Sequence, residues 1–579
     1  MPELNDRIIH EMTGILKEHF AFDAAPDLFR LEKPRDPSHG DLACTAGLTL
    51  AKVLRKPPMA IATALAQGLK KHEHLGEVFS EINAVPPGFI NLRYADDYIL
   101  QTVRSCYQDP RFGVAPAADP MTVVVDFSCP NVAKPMHVGH IRSTILGASL
   151  VRIFRFLGHT TISDNHLGDW GTQFGMIILG LKRSGRLSDL DNATVQDIAA
   201  IYRTISAESD ANPDTAEAAR QEVVKLHHGD PENRRIWERV MRISMKELDR
   251  TYARLGISFD QVLGESFYES MLPDVVEDLR RKGIARDSEG AVAVFFENEK
   301  YTPFLIRKSD GAFLYPTTDL ATIRYRLQTW NPDLIVYVTD ARQQLHFNQL
   351  FETARMWGCT DVRLEHIWFG SILGEDGKPF KTRAGDVVGL DDLLDEAQER
   401  ARAVVDQKSA SLPPEERERI AQVVGMGALK YADPSQNRTS AYVFSWDKLL
   451  ILVGNTAPYM QYAYARVRSI FRRGDEDAEA LRRDPAPILV DRPQELALAR
   501  TLMDFGSVVE LAAREFRPNF LTAYLYELAG AFSVFYDSCP VLKAPDPELR
   551  RSRLMLCDHT ALVIRQGLEL LGIETIEQM

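Results

Sequence analysis

The sequence predicts an α/β chain built on a doubly wound parallel sheet, with an α+β segment before it and an all-α helical bundle after it. Three observations predict this. Residues 122–127 (T-V-V-V-D-F) are a short β-branched apolar run, the pattern of a strand buried on both faces of a parallel sheet. Two prolines and an asparagine then take the backbone out of the sheet, and from Ile141 the apolar positions Ile145, Ala148, Val151 and Leu157 recur at helical spacing. Past about Leu394 the pattern becomes almost wholly helical. Strand, loop and helix in that order open a Rossmann-type nucleotide-binding fold.

The loop ends in His137-Val138-Gly139-His140, at the start of that helix. A free helix N-terminus favours anionic phosphate through its unpaired N–H groups and its dipole. Gly139 has no side chain, so a flat adenine ring can lie on the backbone there. Two imidazoles three residues apart can both reach phosphate oxygens of one ligand. Alone, H-x-G-H is equally a helix start with two incidental histidines. The strand before it, the helix after it and a basic loop farther on favour the phosphate site.

Length and composition set the frame. At 579 residues the chain has room for three or four domains. Its 45% hydrophobic and 26% charged residues are those of an ordinary soluble globular protein. No apolar run reaches membrane-spanning length, and M-P-E-L-N-D-R-I-I-H does not read as a signal peptide. The six cysteines are scattered without a C-x-x-C pair, which argues against a structural metal and a disulfide framework and for a reducing cytoplasm. A net charge of −13 predicts no nucleic-acid binding by itself, so any such surface must gather basic residues against an acidic background.

In chain order, residues 1–108 read as an α+β domain. Its helices fall at 4–20, 43–55 and 58–71, and two strands flank the Val85-Pro86-Pro87-Gly88 turn. Residues 109–120, rich in Pro, Ala and Gly, read as a linker. The sheet domain spans 121–395, with a second strand at 159–163. After that strand, residues 164–173 (D-N-H-L-G-D-W-G-T-Q) pack polar groups and glycines where ligands bind in such folds. Residues 180–300 read as a mostly helical insertion. Strands are expected at 302–307, 313–315 and 333–339, with Asp319 as N-cap of a helix over 320–329. A strand-like segment over 366–373 leads into the basic, glycine-flanked loop 377–385 (G-K-P-F-K-T-R-A-G). Residues 396–579 form the helical domain. Within it Met460, Tyr464, Val467 and Phe471 make an apolar stripe, while Gln461, Arg468 and Arg472 lie on another face beside Tyr462, Arg466 and Arg473. Arginine with exposed aromatic rings suits unstacked bases and phosphates, and a solvated basic face is the alternative.

The stretch P-N-V-A-K-P-M-H-V-G-H resembles the signature of class I aminoacyl-tRNA synthetases in the form carried by arginyl-tRNA synthetases, and G-D-W-G-T-Q is similar to a second motif of that family. The resemblance runs over nearly the whole chain. It implies arginine and ATP (as Mg-ATP) as substrates, an arginyl-adenylate, and transfer to the terminal ribose of tRNA(Arg). The first step needs no general base, because the attacking carboxylate is already ionised. Its demand is to stabilise charge on the α-phosphate and the departing pyrophosphate. His137 and His140 are then donors to the phosphates, with Gly139 beneath the nucleotide. The family's K-M-S-K-S loop aligns with Lys378 and Lys381, or in a shifted frame with Thr382-Arg383 leading. Lys134 is a further cation for the pyrophosphate. A guanidinium needs carboxylates, for which Asp319 is the first candidate and Asp126 the second, with Tyr315 capping the cation. Asn131, His137 and Gln343 match positions that the family uses on substrate backbone or ribose. The N-terminal domain is expected at the tRNA elbow through Phe89, Ile90 and Asn91, though hairpin core and edge is the alternative. Tyr459, Gln461, Tyr462, Arg466, Arg468 and Arg472 would face the anticodon. A cytoplasmic monomer is the remaining expectation. The rivals are a tRNA-independent nucleotidylyltransferase of the same fold and a non-catalytic tRNA-binding paralogue.

Overall fold

Residues Thr122–Asp126 occupy the centre of a five-stranded parallel sheet in the computed structural model, which describes residues 2–34, 36–185, 187–188, 190–378, 380 and 388–578. Across the sheet the strands run Arg363–His366, Leu334–Tyr337, Thr122–Asp126, Thr160–Asn165 and Gln261–Val262, every pair parallel. Val123, Val124 and Val125 are wholly buried, as β-branched residues covered on both faces should be. From the central strand the chain winds outward to one side, then crosses over and fills the other. The strand order therefore reverses between Thr122–Asp126 and Leu334–Tyr337, and a crevice opens beyond their carboxyl ends.

Two expectations in the second half need correcting. Residues 313–315 are no strand: Phe313 makes one isolated bridge to Arg307, and Tyr315 is the first residue of the helix Tyr315–Trp330. Pro316 supplies the preset φ of a first helical turn, so the helix starts earlier than its apolar pattern suggests. Asp319 consequently lies inside the helix, not at its N-cap. The strand Phe304–Arg307 belongs to a separate three-stranded antiparallel sheet with Ala285–Ser288 and Ala291–Val294. The insertion is otherwise helical, with its longest helix at Pro231–Leu255.

The N-terminal region carries a four-stranded antiparallel sheet, with Phe79–Val85 and Phe89–Tyr94 as its hairpin, packed on the helices Pro2–Phe20, Ala46–Leu54 and Pro58–Lys71. It docks directly on the C-terminal helices. Arg500 reaches both carboxylate oxygens of Asp41 at 2.6 Å, Lys33 Nζ lies 2.7 Å from Asp504, and the Tyr107 hydroxyl donates to the buried Asp558 at 2.9 Å. Phe112 and Val114, in the segment read as linker, are buried, and Phe112 meets Phe505 edge-on.

One buried contact ties the sheet to the helical region. Arg142, on the helix Val138–Phe156, donates from Nε to Asp433 at 2.8 Å and from Nη1 to the carbonyls of Gly370 and Ser440 at 2.6 and 3.1 Å. Its guanidinium stacks between Phe369 and Tyr442. Alongside, Ile372–Leu373 pairs in parallel with Tyr442–Val443, so segments seventy residues apart are zipped against the back of that helix. Burial pushes the Asp433 carboxyl up, and Arg142 opposes the shift. Arg142→Ala leaves that carboxylate without its counter-ion. The expected result is a fall in urea-unfolding free energy on the order of 3–5 kcal/mol; a change below about 1 kcal/mol, the range of exposed pairs, would show that the contact is not a fastening.

Candidate active site

The first loop presents its histidines in one defined protonation state. His137 is the N-cap of the helix Val138–Phe156, and its Nδ1 accepts the Gly139 N–H at 3.1 Å. His140 Nδ1 accepts the His137 N–H, also at 3.1 Å. With both Nδ1 atoms occupied as acceptors, each neutral ring carries its proton on Nε2 and points a donor away from the backbone. The rings lie 4.0 Å apart. Burial, then the neighbouring His137, holds His140 down to about 4. Burial and Lys134 lower His137 as well. A close neutral pair avoids the mutual repulsion of two imidazoliums, and both rings still donate. A Cβ on Gly139 would come within 2.9 Å of the His137 ring, so glycine keeps the cap intact.

The second loop returns directly onto the first. It leaves the strand Ile372–Leu373 through a tight turn in which Gly374 N–H donates to the Lys378 carbonyl at 2.7 Å and Lys378 N–H to Asp376 at 3.0 Å, leaving the Lys378 side chain exposed. At its exit Val138 N–H donates to the Val388 carbonyl at 3.0 Å, and Leu390 N–H to the Met136 carbonyl at 2.9 Å. His137 and Gly389 thus sit opposite each other as an antiparallel bridge. Lys381 and Arg383 lie outside the described residues. Lys134 is exposed, with its ammonium 4.5 Å above the Tyr202 ring of the insertion.

Beneath the crevice the structure changes the role of Asp126. Its Oδ2 is 2.5 Å from Nη2 of the wholly buried Arg326, which also holds Asp164 at 2.7 Å, and its Oδ1 accepts the Cys129 thiol at 2.8 Å. Burial alone would disfavour the Arg326 charge, but the two carboxylates outweigh it. Asp126 is therefore not a free carboxylate for a substrate; it belongs to the pocket floor. Arg326 sits two hundred positions away, so no local pattern couples the two.

Two further acidic groups, Asp319 and Glu265, belong to the second half of the fold and to the insertion. Asp319 Oδ2 meets His346 Nε2 at 2.6 Å, and the exposed Tyr315 ring stands 4.9 Å from that imidazole. Glu265, not singled out from the sequence, opens the short helix Glu265–Tyr268 with its N–H on the Leu167 carbonyl. Burial pushes its carboxyl up to about 7; His166 opposes, and the charges of Asp319 and Asp169 add to the rise. Asp169 is already engaged by the Ser266 N–H and hydroxyl at 2.9 and 2.6 Å. Glu265 is held by the Trp170 backbone N–H and Asp319 by His346, and the charge of Asp319 is felt at Glu265. Asn131 is exposed and faces Gly168, where a Cβ would lie 2.3 Å from its Oδ1; Gln343 is exposed at the end of the turn Ala341–Gln343.

On the helix Ala457–Gly474 the expected apolar stripe of Met460, Tyr464, Val467 and Phe471 is buried. Two members of the expected polar face are not available to a ligand. Gln461 is wholly buried and donates to the Glu574 carbonyl at 2.8 Å, and Arg468 is ion-paired to the buried Asp558. The end of the chain and the helix Pro547–Leu570 cover that face, which helical periodicity alone cannot foresee. Tyr462 and Arg472 are exposed, Tyr459 is half-buried, and Arg466 lies over the Tyr536 ring. In the N-terminal hairpin Phe89 and Asn91 are half-buried, whereas Ile90 is core.

Comparison with known proteins agrees with this layout. The family model described as "tRNA synthetases class I (R), catalytic domain" matches residues 106–446, "DALR anticodon binding domain" matches 460–579, and "Arginyl tRNA synthetase N terminal domain" matches 4–94. The chain is 44% identical to the arginine–tRNA ligase of Shigella sonnei over 549 residues, 93% of this chain and 94% of the relative. It is likewise 44% identical to that of Synechococcus elongatus over 557 residues, 94% of each. Among solved structures, arginyl-tRNA synthetase from Plasmodium falciparum superposes with a TM-score of 0.85 at 28% identity, covering 100% of this chain and 99% of that one. The Thermus thermophilus enzyme gives 0.83 at 25%, covering 100% of both.

The histidine geometry yields a titration. A folded value below the ordinary 6.5 means that the unfolded chain binds more protons between about 4 and 6.5, so the His140 contribution to stability is complete above that window and is lost as pH falls through it. In ¹⁵N-histidine spectra the His140 Nδ1 should keep the signature of an unprotonated acceptor down to about pH 4. Titration near 6.5 would remove the neutral-donor assignment.

Proposed function

The chain belongs to the arginyl-tRNA synthetases of class I, and from that premise we propose how its residues divide the reaction. As an arginine–tRNA ligase it joins L-arginine to AMP, drawn from ATP, and passes the arginyl group to the 3′-terminal ribose of its tRNA. In the first step an arginine carboxylate oxygen attacks the α-phosphorus, the bond to the β-phosphate oxygen breaks, and pyrophosphate leaves with the electron pair. In the second step a ribose hydroxyl attacks the activated carbonyl, and AMP departs.

The Nε2–H groups of His137 and His140 bind the ATP phosphates and strengthen as charge gathers on the α-phosphate, with the helix N-terminus adding its dipole. Gly139 leaves room for the nucleotide. Lys134, Lys378, Lys381 and Arg383 supply the cations for the departing pyrophosphate, and ATP enters as its magnesium complex. Arginine lies with its guanidinium between Asp319 and Glu265, capped by Tyr315, while Asn131, His137 and Gln343 hold its backbone and the ribose.

What supports this placement is position: Asp319 stands near enough to Glu265 for its charge to add to the rise, up to about 7, that burial causes there and His166 opposes. A guanidinium placed between the two carboxyls relieves their repulsion, and its planar fork can engage both. A neutral analogue would leave the two carboxyls without that cation in a confined pocket, so selection needs no separate editing step. Phe89 and Asn91 are the elbow contacts, and Tyr459, Tyr462, Arg466 and Arg472 are the anticodon contacts. Its six cysteines are all free, which fits a monomer working in a reducing cytoplasm.

Charging of bulk tRNA with each of the twenty labelled amino acids should label with arginine alone. His140→Ala should slow arginine-dependent pyrophosphate exchange, assayed with tRNA present, by two or more orders of magnitude; a near-normal rate would remove the phosphate role. Glu265→Gln should raise the KM for arginine by an amount equivalent to about 2 kcal/mol or more, with the KM for ATP unchanged. Equal rises in both would place Glu265 outside the arginine pocket.

A further inference from the structure

Between the central strand and the first loop the backbone adopts an unusual path. Ser128, Cys129 and Ala133 all have positive φ, at 75°, 49° and 65°. None is glycine, so each sits in the left-handed region at a steric penalty and persists only if its surroundings impose it. Each has a buried side-chain anchor on its N–H: Ser143 Oγ for Ser128 at 2.9 Å, Asn165 Oδ1 for Cys129 at 3.1 Å, and Ser244 Oγ for Ala133 at 3.2 Å. Ser244 belongs to the insertion helix Pro231–Leu255.

The same helix reaches the turn again through Tyr252, a buried residue whose hydroxyl lies 2.8 Å from Ser128 Oγ and 3.1 Å from Asn165 Nδ2. Ser128 Oγ is in turn 2.8 Å from Thr144 Oγ1, which donates to the His140 carbonyl at 2.7 Å. These contacts fix every donor. The His140 carbonyl can only accept, so Thr144 gives its proton there and accepts from Ser128. Ser128 then accepts from Tyr252. Asn165 uses its oxygen for the Cys129 N–H, so its amide nitrogen faces Tyr252 and donates. A single directional chain runs Asn165, Tyr252, Ser128, Thr144, His140 carbonyl, with each donor polarising the next.

We infer that Tyr252 is a positioning residue for amino-acid activation: through Ser128 and Thr144 it holds the left-handed turn and the first turn of the signature helix, and so sets where the two imidazole donors stand. It touches no substrate and acts from the insertion, which gives that segment a part in the chemistry. The inference rests on the phosphate role given to His137 and His140. Phenylalanine at 252 keeps the ring against Phe259, 5.0 Å away, and removes only the hydroxyl. That leaves the Asn165 amide without an acceptor and Ser128 without its donor.

The test uses the full-length enzyme with tRNA present. Tyr252→Phe should lower kcat for pyrophosphate exchange at least tenfold at temperatures well below its thermal midpoint, where the variant is fully folded, with the KM for arginine within twofold of wild type; the stranded Asn165 amide lowers the midpoint itself. Ser128→Ala cuts the same chain one link on and should give the same pattern. The double variant should lose no more than the worse single one, because one chain can be cut only once. Three results would overturn the inference: kcat within twofold of wild type in Tyr252→Phe, losses that multiply in the double variant, or a kcat that returns to normal at temperatures well below the thermal midpoint. A normal rate in Tyr252→Phe with a crippled His140→Ala rejects this inference alone. A normal rate in His140→Ala rejects the phosphate role and this inference with it.

Discussion

Two backbone hydrogen bonds hold the site together: Val138 N–H to the Val388 carbonyl at 3.0 Å and Leu390 N–H to the Met136 carbonyl at 2.9 Å. They join the exit of the basic loop to the turn that carries the histidine pair, although the two stretches lie about 250 residues apart in the chain. Without that join, nothing would fix the exit of the basic loop against the turn that carries the histidines. Other contacts stiffen what it connects. Arg142 locks the back of the signature helix to the carbonyls of Gly370 and Ser440, next to the strand from which the basic loop departs. Arg254, near the end of the insertion helix, pairs with Asp391 at 3.1 Å and Asp395 at 2.6 Å on the helix that follows the loop. Both described ends of the loop are thus fixed to the frame that positions the histidines.

Charge is distributed to suit a reaction that moves anions and recognises a cation. Burial lowers both histidines, and each keeps an Nε2 donor turned away from the backbone. Below them the buried Arg326 pairs with both Asp126 and Asp164, and no charge of that triad is exposed. Above, the charge of Asp319 adds to the rise that burial gives the Glu265 carboxyl. In water such groups would all be screened. Here burial makes each arrangement count, because interactions strengthen as the local dielectric falls.

The sequence revealed most where chemistry is local. The β-branched run, the prolines after it and H-x-G-H lie within a few residues of one another, and they located the central strand, the crevice and the imidazole pair. It revealed least where a residue's role depends on what comes back to cover it. Asp126 looks free in sequence because Arg326 is remote. Gln461 and Arg468 look like a solvent face because periodicity separates two sides of a helix without saying which side the end of the chain will bury. Asp319 reads as a helix start because the apolar rhythm begins at Leu320, whereas Pro316 starts the helix a turn sooner. Glu265 carried no local signal: its importance comes from the proximity of Asp319 and from burial, and both are products of the fold.

The most direct measurement is a crystal structure of the enzyme with tRNA and a non-hydrolysable arginyl-adenylate analogue. Clamping by the two loops predicts the phosphate within about 3 Å of Nε2 on both His137 and His140, the arginine carbonyl beside it, and the guanidinium between Glu265 and Asp319. A phosphate in contact with neither imidazole, or a guanidinium paired outside those two carboxylates, would contradict it.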